Sequence, residues 1–121
     1  MAKEAVLYKE GKKIDFTLTG AVDVGDVVPL GLTMIGIAST SGLTGEVVAL
    51  EVEGIYEINA ATADAIAIGD KVYFDHINRV ITIKTDTVGD GTGTKFAVAG
   101  IATSTKAASI AGTVYVGIEY R

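Results

Sequence analysis

The chain contains no cysteine among its 121 residues, and it has only one proline and one histidine. Without cysteine it cannot form a disulfide framework, a thiolate nucleophile or a zinc-thiolate site, although the redox compartment is left open. Stability therefore has to come from packing or from assembly. A length of 121 residues fits one domain with one real core.

Long apolar runs and a positive charge excess are also missing. Apolar residues are nowhere continuous for the ~18 positions that a transmembrane helix needs. Residues 1–4 lack the basic segment and apolar run of a signal peptide, so we expect a soluble, unexported chain that makes no membrane contact. Ten basic and fifteen acidic residues give a net charge of −5, which disfavours nucleic acid as a partner.

What the sequence does contain is a repeated turn signal. Gly69-Asp70 stands directly before the β-type run Val72-Tyr73-Phe74, and Gly25-Asp26 stands before Val27-Val28. Two further landmarks follow each copy, so the pattern indicates an internal repeat. The landmark pairs are Gly25 with Gly69, Gly36 with Gly100, and Gly45 with Gly112. The second copy is about twenty residues longer, and the excess falls within Asp75–Lys95.

Nearly all other periodicity in the chain is the two-residue alternation of strands. Glu46–Ile58 gives the longest strand signal, with a bend or bulge expected at Gly54, and Pro29 belongs at a sheet edge. A hairpin is predicted from Val72–Phe74 to Arg79–Lys84, and Asn59–Ile68 is the one segment that favours a helix. We therefore predict a mainly β fold, a compact barrel or sandwich of two pseudo-repeated halves with one or two short helices.

The N-terminal segment reads differently from the rest. Glu4–Tyr8 is a short extended run that a charged cluster, residues 9–13, separates from the following strand. Such an isolated terminal strand either forms the edge of its own sheet or pairs elsewhere. We expect residues 1–13 to be an extended arm and residues 14–121 to be a single β-rich domain.

Three segments invite a chemical role and lack the context for it. His76 beside Asp75 suggests a general base, but a lone histidine in a turn is more often structural. Gly89–Lys95 is glycine-rich, yet a strand rather than a helix follows it and the P-loop spacing is absent. Asp86 and Asp90 could bind calcium, but the glutamate that completes an EF-hand loop is missing. The sequence thus predicts no catalytic, cofactor-binding or metal-binding residues, and no enzyme.

The repeat residues also carry a family resemblance. The segments concerned are Gly25–Val28, Gly36–Ala38, Gly45–Tyr56, the alanine-rich stretch into Ile68–Asp75, Gly100–Ala102 and Val114–Val116. Together, from about Tyr8 to Arg121, they resemble the capsid cement, or head decoration, proteins of tailed phages and prophages. Some members of that family carry a RecA-like recombinase label, which the missing Walker motif argues against here.

The resemblance implies a virion structural protein with a small, tulip-like β domain. Such a protein is made in the host cytoplasm, binds the outer capsid surface as a homotrimer, contacts the major capsid protein and stabilises the shell. It also implies an N-terminal arm that reaches the shell, so Glu4, Ala5, Val6, Leu7 and Tyr8 are the candidate capsid-binding residues. An exposed strand can dock there by main-chain hydrogen bonds alone.

Three other functions stay open at this stage. The first is a phage surface-binding module for a receptor or a carbohydrate, with residues 75–95 as the recognition loop. The second is a hydrolase that uses Asp75 and His76. The third is an assembly factor that is absent from the mature particle.

Overall fold

The computed structural model describes residues 12–118, and this part of the chain is all β, with nine strands and no helix. The predicted arm, Glu4–Tyr8, lies outside the described residues. The strands are β1 (Lys13–Thr17), β2 (Val27–Leu30), β3 (Met34–Ala38), β4 (Val47–Glu51), β5 (Gly54–Ala60), β6 (Lys71–Asp75), β7 (Val80–Thr82), β8 (Ala97–Ala102) and β9 (Gly112–Ile118).

The strands form two sheets that follow one another along the chain. The first is a four-stranded antiparallel sheet in the order β1-β4-β3-β2, and the second is a closed five-stranded barrel in the order β5-β7-β6-β8-β9. In the barrel only the contact between β5 and β7 is parallel. The prediction of a mainly β fold, a barrel or sandwich, is therefore confirmed.

The two sheets repeat the same topology, which confirms the internal repeat. In the first half β4 lies between β1 and β3, and β3 pairs with β2; in the second, β9 lies between β5 and β8, and β8 pairs with β6. The strands β1, β2, β3 and β4 thus correspond to β5, β6, β8 and β9. Strand β7 has no counterpart in the first half. It lies in the predicted excess Asp75–Lys95, and it closes the second half into a barrel by joining β6 to β5.

The turn signal has the same geometry in both halves. Gly25 and Gly69 have φ of 89° and 94°, a region that glycine occupies without a steric penalty. Their amides donate to the carbonyls of Ala38 and Ala102, at 2.8 and 2.9 Å, so each turn is fastened to the end of the strand beside it.

An acidic side chain closes each of these turns. The carboxylates of Asp26 and Asp70 both accept a 2.9 Å hydrogen bond from the amide three residues earlier, and Glu46 makes the same contact in the turn before β4. This local bond is the reason that Gly-Asp is a turn signal.

The third landmark pair is wrong by one residue. The registers equate Glu51 with Gly117, because these residues pair with Ile37 and Ile101 respectively. Gly45 therefore corresponds to Ala111, not to Gly112. Glycine at position 45 serves a turn with a positive φ of 88°, whereas Gly112 begins a strand.

The predicted helix over Asn59–Ile68 is also wrong. Asn59 and Ala60 end strand β5, and the rest forms a loop in which Ile66 makes an isolated bridge with Lys106. Two turns of helix are marginal by themselves, and here the backbone groups bond to distant strands instead. Local alanine propensity is therefore overridden by tertiary pairing.

Two further strand predictions are corrected and two are confirmed. The signal over Glu46–Ile58 is two strands in different sheets, because the chain leaves the first sheet before Gly54, whose φ is 132°. The sequence of Leu32–Ile37 predicts a buried strand, but β3 begins only at Met34 and Leu32 is exposed in the turn before it. Pro29 does lie on an edge strand, β2, and the hairpin of β6 and β7 forms as predicted.

The core has two parts. The larger part fills the barrel and continues onto Val27, Ile35 and Ile37 of the first sheet, which thereby pack against the barrel. The smaller part lies on the opposite face of the first sheet, around Leu50 and Val48. The larger part contains residues of both halves and therefore joins them.

Candidate interaction surface

Asp75 is committed to its own turn. One carboxylate oxygen accepts the amides of Ile77 and Asn78, at 2.9 and 3.0 Å, and the other accepts the Asn78 side-chain amide at 2.9 Å. Burial raises the pKa of Asp75, but the hydrogen bonds from Asn78 and Ile77 outweigh it, so the net pKa is lowered. Asp75 is therefore an ionised turn cap.

His76 makes no hydrogen bond to Asp75 within residues 12–118. Its imidazole is exposed and stands edge-on to the Phe96 ring, with the ring centroids 5.8 Å apart. A carboxylate that orients a histidine for base catalysis has to bond one of its ring nitrogens. The structure brings the two residues side by side and does not make that contact.

The glycine-rich loop is wrapped around Asp86. That carboxylate is fully buried and accepts the amides of Gly89, Gly93 and Val88, at 2.6, 3.1 and 3.2 Å. Burial raises the pKa of Asp86, but these bonds and the Lys95 ammonium, 3.8 Å away, lower it overall. The amides that could have held a phosphate therefore hold the protein's own carboxylate.

The same bonds disfavour calcium at this loop. A cation needs free carboxylate lone pairs, whereas those of Asp86 face N–H donors, and Asp90 accepts the amide and hydroxyl of Thr92 at 2.9 and 2.6 Å. Within the described range, no three His, Cys, Asp or Glu side chains are grouped to hold a metal ion.

A buried polar cluster beside the barrel was missed by sequence reasoning. The Lys106 ammonium donates to the carbonyls of Ala107, Asp64 and Thr62, at 2.7, 2.8 and 3.1 Å. The Asp64 carboxylate accepts the Thr82 hydroxyl, at 2.5 Å, and the Ile83 amide. No sequence motif predicts this cluster, because its residues lie far apart in the sequence. Their hydrogen bonds connect the loop after β5, where a helix was predicted, to β7 and to the loop that contains Lys106.

The apolar surface, by contrast, is extensive. A groove on the outer face of the barrel has walls formed by Ile55 and Ile101, which are 67% and 47% exposed. Both residues pair with Gly117 on the strand between them, so the floor of the groove carries no side chain there. Its volume is about 610 Å³, and Lys71 and Glu53 contribute charge at its rim. We call this feature the barrel groove. Isolated exposed apolar residues are ordinary, but grouped ones mark contact surfaces.

Open strand edges are the second exposed feature. Strands β1 and β2 are the two ends of the first sheet, and within residues 12–118 each pairs on one side only. The barrel has no such ends, because β7 joins the strands that correspond to them. Edges of this kind can accept a strand from another chain. In the sequence the candidate arm Glu4–Tyr8 precedes β1.

The surface near the start of β1 carries both positive and negative charges. Of the charged cluster at residues 9–13, the structure describes Lys12 and Lys13; both are exposed, and the Lys13 ammonium lies 3.9 Å from the Glu51 carboxylate. The phenol of Tyr56 donates a 2.6 Å hydrogen bond to Glu51 from the other half of the molecule. No helix of the described chain is long and apolar enough to cross a membrane.

One comparison with known proteins gives a match. A family model described as phage cement protein matches residues 8–118, which is almost the whole chain. No curated protein and no solved structure gives a significant match.

Proposed function

Because the chain belongs to the phage cement protein family, we propose that it binds the outside of the capsid as a homotrimer, contacts the major capsid protein and stabilises the shell. Membership of the family gives it a cement role and a place in the virion, at the capsid. We further propose that it carries out no catalysis, and that it is made in the host cytoplasm before it joins the particle.

One observation carries this proposal: Asp75, Asp86 and Lys106 are buried and hydrogen-bonded, whereas the exposed surface offers apolar side chains and strand edges. Asp75 and Asp86 accept amides of their own loops, and Lys106 donates to carbonyls of its own loop and of the loop after β5. The exposed features are the barrel groove and two strand edges. Apolar surface and main-chain edges suit lasting contact with other subunits, and they supply no nucleophile or base.

The arm Glu4–Tyr8 is our candidate for the shell contact. An extended segment adds to the edge of a neighbouring sheet through its own amides and carbonyls, so it needs no special side chains. Many identical copies on one shell then multiply a weak single contact.

Mass analysis of purified particles tests the cement role. We expect hundreds of copies per virion. A handful of copies would favour a receptor-binding or carbohydrate-binding tip, and absence from mature particles would favour an assembly factor.

Deletion of residues 2–8 tests the arm. We expect the shortened protein to fold and to lose capsid binding in a co-sedimentation assay. A finer pair of variants keeps the length of the arm: Val6→Pro removes a main-chain donor, whereas Val6→Thr keeps it and keeps the β propensity. Binding that survives the deletion would discard the arm as the docking element, and equal loss with both variants at Val6 would discard the main-chain mechanism.

The alternative is a surface-binding module that uses residues 75–95. Its support is the exposure of Ile77 and Val88 on that excursion. Against it, β7 and Asp86 give the same residues a structural task. Loss of binding to cells or glycans on replacement of Ile77 and Val88, with capsid retention unchanged, would favour this alternative.

A further inference from the structure

The internal repeat identifies two equivalent rows of residues, one in each half. In the first half one row crosses β1, β4 and β3; in the second the matching row crosses β5, β9 and β8. Each row is centred on the residue of the middle strand that pairs with both neighbours. The equivalent pairs are Lys13 with Ile55, Glu51 with Gly117, and Ile37 with Ile101.

In the first half the second half of the same chain covers Ile37 and partly covers Glu51, whereas Lys13 stays exposed. Ile37 is 6% exposed and belongs to the hydrophobic cluster that fills the barrel. Glu51 accepts the hydrogen bond from the Tyr56 phenol of strand β5. Strand β5 thus lies opposite the row, across a cleft of about 800 Å³.

In the second half the equivalent row is the barrel groove, and nothing in the described chain covers it. Two of its three positions have changed from the first half in a consistent direction. A charged residue has become Ile55 and another has become Gly117, so the row is more apolar than its counterpart in the first half. Ile101 is exposed where its equivalent Ile37 is covered, and an exposed apolar side chain in the place of a covered one indicates a partner.

We propose that the barrel groove binds the first half of a second copy, through the same packing that joins the two halves within one chain. Strand β1 of the next copy then takes the place that β5 takes internally. The register equates Ile14 with Tyr56, because their partners Leu50 and Val116 are equivalent. Ile14 of the next copy therefore lies against Gly117.

The chemistry of this contact is complementary. Inside the chain a phenol meets a carboxylate; between chains an aliphatic side chain meets a glycine, which lets the two sheets approach more closely. Ile14 and Phe16 lie on the same face of β1 and are half-buried against the smaller hydrophobic cluster. The face presented to the groove is thus apolar as well.

Such a contact is head to tail, since two different surfaces meet. Repetition of a head-to-tail contact closes into a ring when its rotation permits. The inference deepens the proposed homotrimer and rests on it for the number of copies in the ring.

Cross-linking of single-cysteine variants tests the contact, and the native chain, which has no cysteine, gives no background. Gly117→Cys fits, since a Cβ there meets only ordinary contacts at 3.8 Å. Each variant, Gly117→Cys and Ile14→Cys, is treated alone with a short bismaleimide, and then the two are mixed. We expect dimers in the mixture and little product from either variant alone. Product from Gly117→Cys alone would reveal a two-fold contact between grooves and overturn the proposal, as would no product from the mixture at the highest soluble concentration.

Substitution in the groove supplies a second measurement. Ile55→Asp is expected to weaken self-association by about tenfold or more, measured by sedimentation, because it puts a charge into a covered apolar site. Leu43→Asp is the matched control, since Leu43 is also 67% exposed but lies in the turn before β4. Equal association by the two variants would refute the groove. The cement role is judged separately: a protein that binds capsids but fails these tests loses only the interface proposed here.

Discussion

Replacement of Ile81 by alanine tests whether the excursion 75–95 is part of the core or an appended recognition loop. Ile81 is the central residue of β7, is 0% exposed, and pairs with Ala60 on one side and Phe74 on the other. The change removes three carbon atoms, worth about 2.4 kcal/mol of burial at roughly 0.8 kcal/mol each. The cavity left behind adds to this, so we expect a loss of about 3–4 kcal/mol in the free energy of unfolding.

Urea unfolding followed by circular dichroism measures this loss. With a slope of about 1.5 kcal/mol per molar urea, the midpoint should fall by about 2 M. Ile77→Ala, in the exposed turn of the same excursion, is the control and should change the free energy of unfolding by about 0.5 kcal/mol or less. A loss below about 1 kcal/mol for Ile81→Ala would refute the view that β7 closes the barrel as part of one cooperative unit.

Two further predictions concern the loop around Asp86 and the contact between the halves. Gly93→Ala makes a Cβ clash with the Thr87 hydroxyl oxygen and should lower the free energy of unfolding by about 1–3 kcal/mol, measured in a thermal melt. Gly20→Ala, with open space around it, should cost far less, and equal costs would contradict the packing of the loop. Burial, together with the hydrogen bond and charge of Glu51, raises the pKa of Tyr56 to about 12, so the folded state holds the phenolic proton more tightly than the unfolded chain, whose tyrosine titrates near 10.0. The resulting stability is present below pH 10 and is lost as the pH rises towards 12. The urea midpoint should therefore fall more steeply over this pH range in the native protein than in Tyr56→Phe. Parallel curves for the two proteins would contradict the raised pKa of Tyr56.

The sequence predicts local backbone structure correctly where a residue type has one strong conformational preference. Gly25 and Gly69 read as turns because glycine alone takes positive φ freely, and the acidic residue after each supplies its own hydrogen bond. Pro29 was placed at an edge because it has no amide to donate. The repeat could be read for the same reason, since its landmarks are such residues.

The predictions that were wrong concern backbone whose conformation is set by pairing with residues distant in the sequence. Asn59–Ile68 has helical propensity, but Ala60 pairs with β7 and Ile66 forms an isolated bridge with Lys106, both later in the chain. Gly45 and Gly112 are the same residue type at similar places in the repeat, but the strand register shows that their positions differ by one residue. Propensity is a weak preference that tertiary hydrogen bonds outweigh.

The candidate interaction surface also has features that the sequence predicts and features that only the tertiary structure shows. The sequence by itself identified the alternation of strands, the excess in the second repeat and the resemblance to cement proteins, and it predicts the arm. It could not identify the barrel groove, since Ile55, Ile101 and Gly117 come together only when β9 pairs with both β5 and β8. Nor could it show that Asp86 turns the glycine-rich loop inward. Turns and alternation arise from neighbours in sequence, whereas a groove and a buried carboxylate arise from which distant strands meet.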